Sequence, residues 1–204
     1  MESFILVSLI YLKKLTKNVN MQRNWSYTIK EGEHKGKTLW SGRYCAVCAI
    51  VLYYDVNLGW MILLNKRGSG APDFQHMWNI PCGYIEADET AQEACSRELL
   101  EECHVEIEPK KFNLIKVKTN PKNCNNGNIT LRFLAFANST DFVKTNAVGE
   151  QDEVEDISWF ELDKAKDLEL AFNHKDVINF LKDKINDITM MFDASAEKEL
   201  IEID

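Results

Sequence analysis

Residues 83–105 read GYIEADETAQEACSRELLEECHV, and the rest of the chain can be organised around them. Over 89–103, Ala, Glu, Leu and Gln dominate and proline is absent, which predicts a helix. Ala91, Ala94, Cys95 and Leu99 supply its apolar stripe. Glu98, Glu101 and Glu102 stand at i, i+3 and i+4, so their carboxylates share one side of that helix. Between 89 and 102, Glu89, Glu93, Glu98, Glu101 and Glu102 face a single cation, Arg97. Charge alone leaves two readings open: a solvated acidic face, or hard oxygen ligands suited to Mg²⁺ or Mn²⁺.

On either side of the helix the pattern changes to strands. The apolar runs 44–54 and 59–65, separated by Asp55-Val56-Asn57, predict an antiparallel pair. Gly68 to Phe74 reads as a loop, and 77–81 as a short buried segment leading to Gly83. Further strands are expected at 112–118, 130–137 and 154–160, with an Asn-rich loop over 120–128. A last amphipathic helix is expected at about 175–185, with Val177, Ile178, Leu181 and Ile185 at core spacing. Gly32 and Gly36 suggest a hairpin within 25–40. Strands and helices interleave without a strict parallel repeat, so the expected class is α/β (α+β), a mixed sheet packed between helices.

At 204 residues, with 45% hydrophobic and 27% charged side chains, the chain has the composition of a globular protein with a sizeable core. Its net charge of −8 argues against a nucleic-acid partner, which normally needs a basic footprint. The apolar segment 4–12 is too short to span a bilayer and lacks the flanks of a targeting sequence, so no membrane association is expected. We expect residues 1–20 to be a dispensable extension, with translation starting at Met1 or at Met21. A single catalytic domain is expected over 21–192, followed by an acidic tail, frayed or loosely docked, over 193–204. The six cysteines (Cys45, Cys48, Cys82, Cys95, Cys103 and Cys124) read as free thiols in a reducing cytoplasm. Cys45 and Cys48 have zinc-knuckle spacing, but residues three apart on a strand point to opposite faces and no second such pair exists.

The fixed spacing around the glutamates adds a resemblance. Gly83, Glu89 after five residues, Arg97-Glu98 after seven more, then Leu99-Leu100-Glu101-Glu102 and apolar Val105 resemble the signature of the Nudix hydrolase family. About eight positions over the 23 residues agree. The similarity extends to the approach over 78–86 and to the strands across roughly 40–185. His104 stands where the signature has glycine, which puts the helix stop in question. A structural or solvent-facing histidine is a plainer reading there than a ligand.

The resemblance implies an α/β/α sandwich and a metal-dependent pyrophosphohydrolase. Glu98, Glu101 and Glu102 would hold Mg²⁺ or Mn²⁺, helped by the carbonyl of Gly83. Arg97 would orient the cluster, with Glu89 as its natural partner. Glu102, or a carboxylate from the segment of Glu150, Asp152, Glu153 and Glu155, would act as base, with Glu153 the choice among those four. Arg67 and Arg132 are candidate phosphate contacts, and a surface salt bridge explains either equally well. The substrate is expected to be a small nucleotide-like molecule. Pro121, sixteen positions beyond Val105, resembles a proline in members that split ADP-ribose, so the substrate leans to ADP-ribose or a nucleotide sugar. Trp25, Tyr27, Trp40 and Phe74 are candidates to stack a base, whereas Trp78 reads as core. Nucleoside triphosphates and dinucleotides stay open as substrates, as does a homodimeric assembly. A catalytically silent nucleotide-sensing module and an isomerase acting on a diphosphate ester are the competing functions.

Overall fold

The computed structural model describes residues 26–40, 42–120, 127–138 and 152–201. The expectations for 1–20, Met21, Trp25, Pro121, Cys124 and Glu150 lie outside the described residues, as do the side chains of Tyr27 and Trp40. The chain divides into two compact units, Met1–Arg43 and Tyr44–Asp204. In the first, β1 (Ser26–Thr28) and β2 (Thr38–Trp40) form an antiparallel hairpin. Gly32 and Gly36 turn it with φ of 86° and 87°, a region open to glycine and strained for other residues.

The second unit is built on β3 (Cys45–Asp55), whose uninterrupted apolar run marks a strand covered on both faces. It pairs antiparallel with β4 (Gly59–Arg67), and the Asp55 carboxylate caps the turn by accepting the N–H groups of Asn57 and Leu58. β5 (Trp78–Asn79) and β9 (Val154–Glu161) pair antiparallel with β4, and β6 (Cys82–Tyr84) pairs antiparallel with β3. On the other side of β3, β8 (Ile129–Phe136) runs parallel to it, and β7 (Asn113–Lys118) closes that edge antiparallel to β8. The sheet is therefore mixed, as expected.

Alternation along β3 assigns its two faces. Val47, Ala49 and Val51 pack with Ala94, Cys95 and Leu99 of helix α1 (Ala91–Cys103). Cys48, Ile50 and Leu52 pack with Val177, Ile178, Leu181 and Ile185 of helix α3 (His174–Ile201). A short helix, α2 (Leu162–Ala165), precedes α3. Each large aliphatic side chain so buried contributes about 1.5–3 kcal/mol, and the two faces together give the α/β/α sandwich. α3 continues to Ile201 where the periodicity had suggested an end near 185, because neither glycine nor proline follows Phe172 to stop it. Among the described residues no helix is long and apolar enough to cross a membrane.

α1 is fixed at both ends. The Thr90 hydroxyl accepts the Glu93 N–H, and the Glu93 carboxylate accepts the Thr90 N–H, which completes a capping box. At the other end His104 takes φ 53° and ψ 34°, and its N–H and that of Val105 return to the carbonyls of Leu100 and Leu99. The helix stop thus survives without glycine, and the exposed histidine bears the left-handed strain. Relieving that strain with His104→Gly should raise stability by about 1 kcal/mol and the melting temperature by about 2–4 °C. Thermal denaturation tests this: an unchanged or lowered midpoint would mean that the imidazole makes a compensating contact.

Candidate metal and catalytic site

Arg97, two turns into α1, reaches back across the loop that leads into the helix. Its Nε and Nη2 donate to the two Glu89 oxygens at 3.0 and 2.7 Å, and Nη2 also donates to the Tyr84 carbonyl at 2.9 Å. Nη1 donates to Glu98 at 2.8 Å and to Glu101 at 3.0 Å. One guanidinium therefore gathers three carboxylates, from both loop and helix. It holds Glu89 below the usual carboxylate range, and the three carboxylates push its own pKa up in return.

Glu98 is 9% exposed, and its carboxylate lies against Gly83 so closely that a methyl group on Gly83 would occupy the same space. Burial raises the Glu98 pKa, opposed by Arg97. Glu102 is outside the Arg97 fork. Burial pushes its carboxyl well up, and the Arg67 guanidinium is near enough to pull the other way. Among the described residues Glu102 makes no ion pair, and its Oε2 accepts the Cys82 N–H at 3.0 Å.

Strand pairing explains why that N–H is available. Ile85 N–H bonds to the Cys45 carbonyl and Ala49 N–H to the Pro81 carbonyl, so the ladder alternates through hydrogen-bonded pairs 45/85, 47/83 and 49/81. Cys48 and Cys82 fall at a non-hydrogen-bonded position, which turns the Cys82 N–H away from β3 and toward Glu102. Gly83 falls at a hydrogen-bonded one, so its carbonyl spends one lone pair on the ladder and keeps one.

The other sequence-predicted residues are dispersed. Arg67, at the end of β4, donates from Nε and Nη2 to the Asp73 carbonyl and carboxylate, both at 2.9 Å. Its Cζ lies 5.1 Å from the centre of the Phe172 ring. Phe172 and Phe74 pack with their rings tilted by 56° and centroids 4.7 Å apart, and both have positive φ, 54° and 49°, a strained setting for aromatic residues. Phe74 had been marked as a base-stacking candidate. Phe172 had not, since nothing in its local sequence signals the contact. Glu153 is exposed and its carboxylate makes no ion pair among the described residues, while its carbonyl accepts the Gly68 N–H at 2.6 Å. Glu155 is paired with Lys66 and His76, both at 2.6 Å. Arg132 is on β8, on the α3 face and away from the α1 glutamates.

Sequence reading also missed a polar group between sheet and α3. Cys48, Cys82 and His174 place their potential ligand atoms within 4.8 Å of one another, whereas Cys45 stands apart from them. His174 Nδ1 accepts the Ile80 N–H at 3.0 Å, so the neutral ring carries its proton on Nε2, 3.6 Å from Cys48 Sγ. The nitrogen that faces the thiols is thus a donor and offers no lone pair to a metal. The group is a hydrogen-bonded core network.

A family model described as the NUDIX domain matches residues 45–181. A search of curated proteins gives no match. Among solved structures, the chain is similar to the NUDIX domain of Shewanella oneidensis NrtR complexed with ADP ribose, at 21% identity and a TM-score of 0.59. The similarity covers 71% of this chain and 90% of that one. It is similar to a mutT/nudix family protein from Listeria innocua at 23% identity and a TM-score of 0.56, over 74% of this chain and 99% of that one. It is also similar to a bifunctional NMN adenylyltransferase/ADP ribose pyrophosphatase from Francisella tularensis, at 24% identity and a TM-score of 0.56. There it covers 70% of this chain but only 41% of the other. The family match starts at the first residue of β3 and ends within α3, so it takes in both layers around the sheet as well as the glutamate helix, and the chain belongs to the NUDIX family.

Proposed function

We propose that this protein is a divalent-metal-dependent hydrolase that cuts a diphosphate linkage in a nucleoside diphosphate-linked compound. The observation that carries this reading is Glu102. A partly buried carboxylate that no ion pair neutralises is costly, and here it stands on the same helix face as Glu98 and beside Gly83. The donor set suits Mg²⁺ or Mn²⁺: carboxylates of Glu98, Glu101 and Glu102 and the remaining lone pair of the Gly83 carbonyl are all hard oxygens. When bound, such an ion supplies Lewis acidity toward phosphoryl oxygens and makes a water more acidic.

The chain's own groups divide the remaining work. Arg97 fixes the direction of Glu98 and Glu101, and Glu89 anchors Arg97 to the loop. The Cys82 N–H fixes the Glu102 carboxylate, which takes the proton from the attacking water while the bond from phosphorus to the leaving oxygen breaks. Glu153 is the alternative base, from the segment before β9. Arg67 keeps Nη1 for a phosphate oxygen, since its bonds to Asp73 use Nε and Nη2. The exposed edge of the Phe74 and Phe172 pair offers an aromatic surface beside it.

For the substrate we favour ADP-ribose or a nucleotide sugar. The descriptions of two structures of this fold, one complexed with ADP ribose and one an ADP ribose pyrophosphatase, support that lean. A binding-only module, the reading suggested by a complex of NrtR with a 27mer DNA, has no evident need for the unpaired Glu102 carboxylate. A panel of ADP-ribose, nucleotide sugars, dinucleotides and nucleoside triphosphates, with Mg²⁺ and Mn²⁺ and products resolved by mass, separates these functions. Inactivity of the wild type on every compound would favour the sensor.

On the active substrate, Glu102→Gln should lower turnover by about 10²–10⁴-fold with an unchanged circular dichroism spectrum. Gly83→Ala, by displacing the Glu98 carboxylate, should cost roughly 10²-fold, and wild-type turnover in that variant would remove Glu98 from the mechanism. A stability test follows from the raised Glu102 pKa. A carboxyl whose folded pKa is raised is best tolerated below the ordinary carboxylate value, and that contribution is lost as the pH rises through the raised value. In EDTA, Glu102→Gln should therefore melt above wild type at about pH 7.5 and level with it near pH 4, and Mg²⁺ should narrow the gap at the higher pH. A difference independent of pH would show that Glu102 is not desolvated in the folded protein.

A further inference from the structure

The α3 face of the sheet holds a cluster of cations that the hydrolytic site does not use. Arg132 is 3% exposed, and its Nε has no hydrogen-bond partner. Buried guanidinium groups are ordinarily matched to carboxylates. Among the described residues no carboxylate forms an ion pair with Arg132, nor with Lys118 beside it. Instead both converge on one neutral atom: with its carboxamide oxygen turned to the cations, Asn173 accepts from Arg132 Nη2 at 3.0 Å and from Lys118 Nζ. Lys116, the register partner of Arg132 on β7, has its ammonium 4.4 Å from the centre of the Phe180 ring. Asn173 immediately precedes α3, whose N-terminal end carries partial positive charge, with the His174 and Asp176 N–H groups taken by the carbonyls of Ala171 and Asn173 at 3.2 and 3.1 Å. Asp176, the acid of that first turn, is exposed. In a chain of net charge −8, two cations and a helix N-terminus thus converge with an amide oxygen as their shared acceptor.

We propose that Arg132, Lys118 and the N-terminus of α3 form an oxyanion site for a phosphoryl group distinct from the diphosphate that is cut. Its occupant is a free phosphate or a second phosphate of the substrate, two sources with the same chemistry. Arg132, Cys48 and Cys82 are successive register partners across β8, β3 and β6, which sets the Arg132 backbone about 10 Å from that of Cys82. Cys82 in turn holds Glu102. The role as substrate subsite rests on the hydrolase reading, whereas oxyanion binding does not.

Inorganic phosphate is the first probe, titrated against the full chain in EDTA at constant ionic strength and followed by thermal shift. Wild type and Glu102→Gln should both show saturable stabilisation. Arg132→Gln should weaken phosphate binding at least about ten-fold, and Lys118→Ala, at a partly exposed position, should weaken it in a chain whose fold is left intact. Absence of saturable binding in wild type, or wild-type affinity in a folded Lys118→Ala and Arg132→Gln, overturns the proposal. The source is then read from paired diphosphate substrates with and without an additional phosphomonoester. A KM advantage of the phosphorylated member that vanishes in Lys118→Ala assigns the site to substrate, and saturable phosphate binding with no such advantage assigns it to free phosphate. Failure of hydrolysis with phosphate binding intact would count against the activity and not against this site.

Discussion

Arg97 is the interaction on which the rest of the site depends. Three carboxylates within one shell of a helix would repel each other in an already acidic chain, and a compact ammonium could not satisfy them in fixed directions. The planar fork does so by facing Glu89 with one edge and Glu98 and Glu101 with the other, while a further bond to the Tyr84 carbonyl ties the loop to the helix. Loop and helix are thereby held in one register. That register is what allows the Glu98 carboxylate to lie in the space left by the missing side chain of Gly83.

Glu102 is the complement of this arrangement. It belongs to the same cluster by helical spacing but receives no share of Arg97, and it is held by a single N–H that strand parity leaves outside the ladder. The cost of a desolvated carboxylate is accepted in the fold at the point where a divalent ion and a basic group would be useful. Glu155, between Lys66 and His76, is by contrast paired and carries a lowered pKa.

The two faces of the sheet hold different kinds of group. The α1 side supplies carboxylates. The end of β4 and the α3 side supply cations and aromatics: Arg67 over Phe172, the strained Phe74 and Phe172 pair, and Arg132 with Lys118. β3 joins them, because alternate residues of one strand serve both layers and because it pairs with both β6 and β8. A substrate with an anionic end and an aromatic base matches such a division.

The α1 helix, its stripe, the mixed sheet and the grouping of Glu98, Glu101 and Glu102 were legible in the amino-acid sequence because each depends on local periodicity, in which 3.6 residues per turn or two per pleat sets the side a residue occupies. The turn at Asp55 is local in the same way. The end of α3 was not, since its polar last turns carry no stop signal and no core periodicity. What only the tertiary structure decided is which charges find partners. The sharing of Arg97, the isolation of Glu102, the meeting of Cys48 with Cys82 and His174, and the convergence of Lys118, Arg132 and Asn173 all join residues far apart in the chain. Burial and pairing are properties of the neighbouring strand or helix, which no spacing within a single segment encodes.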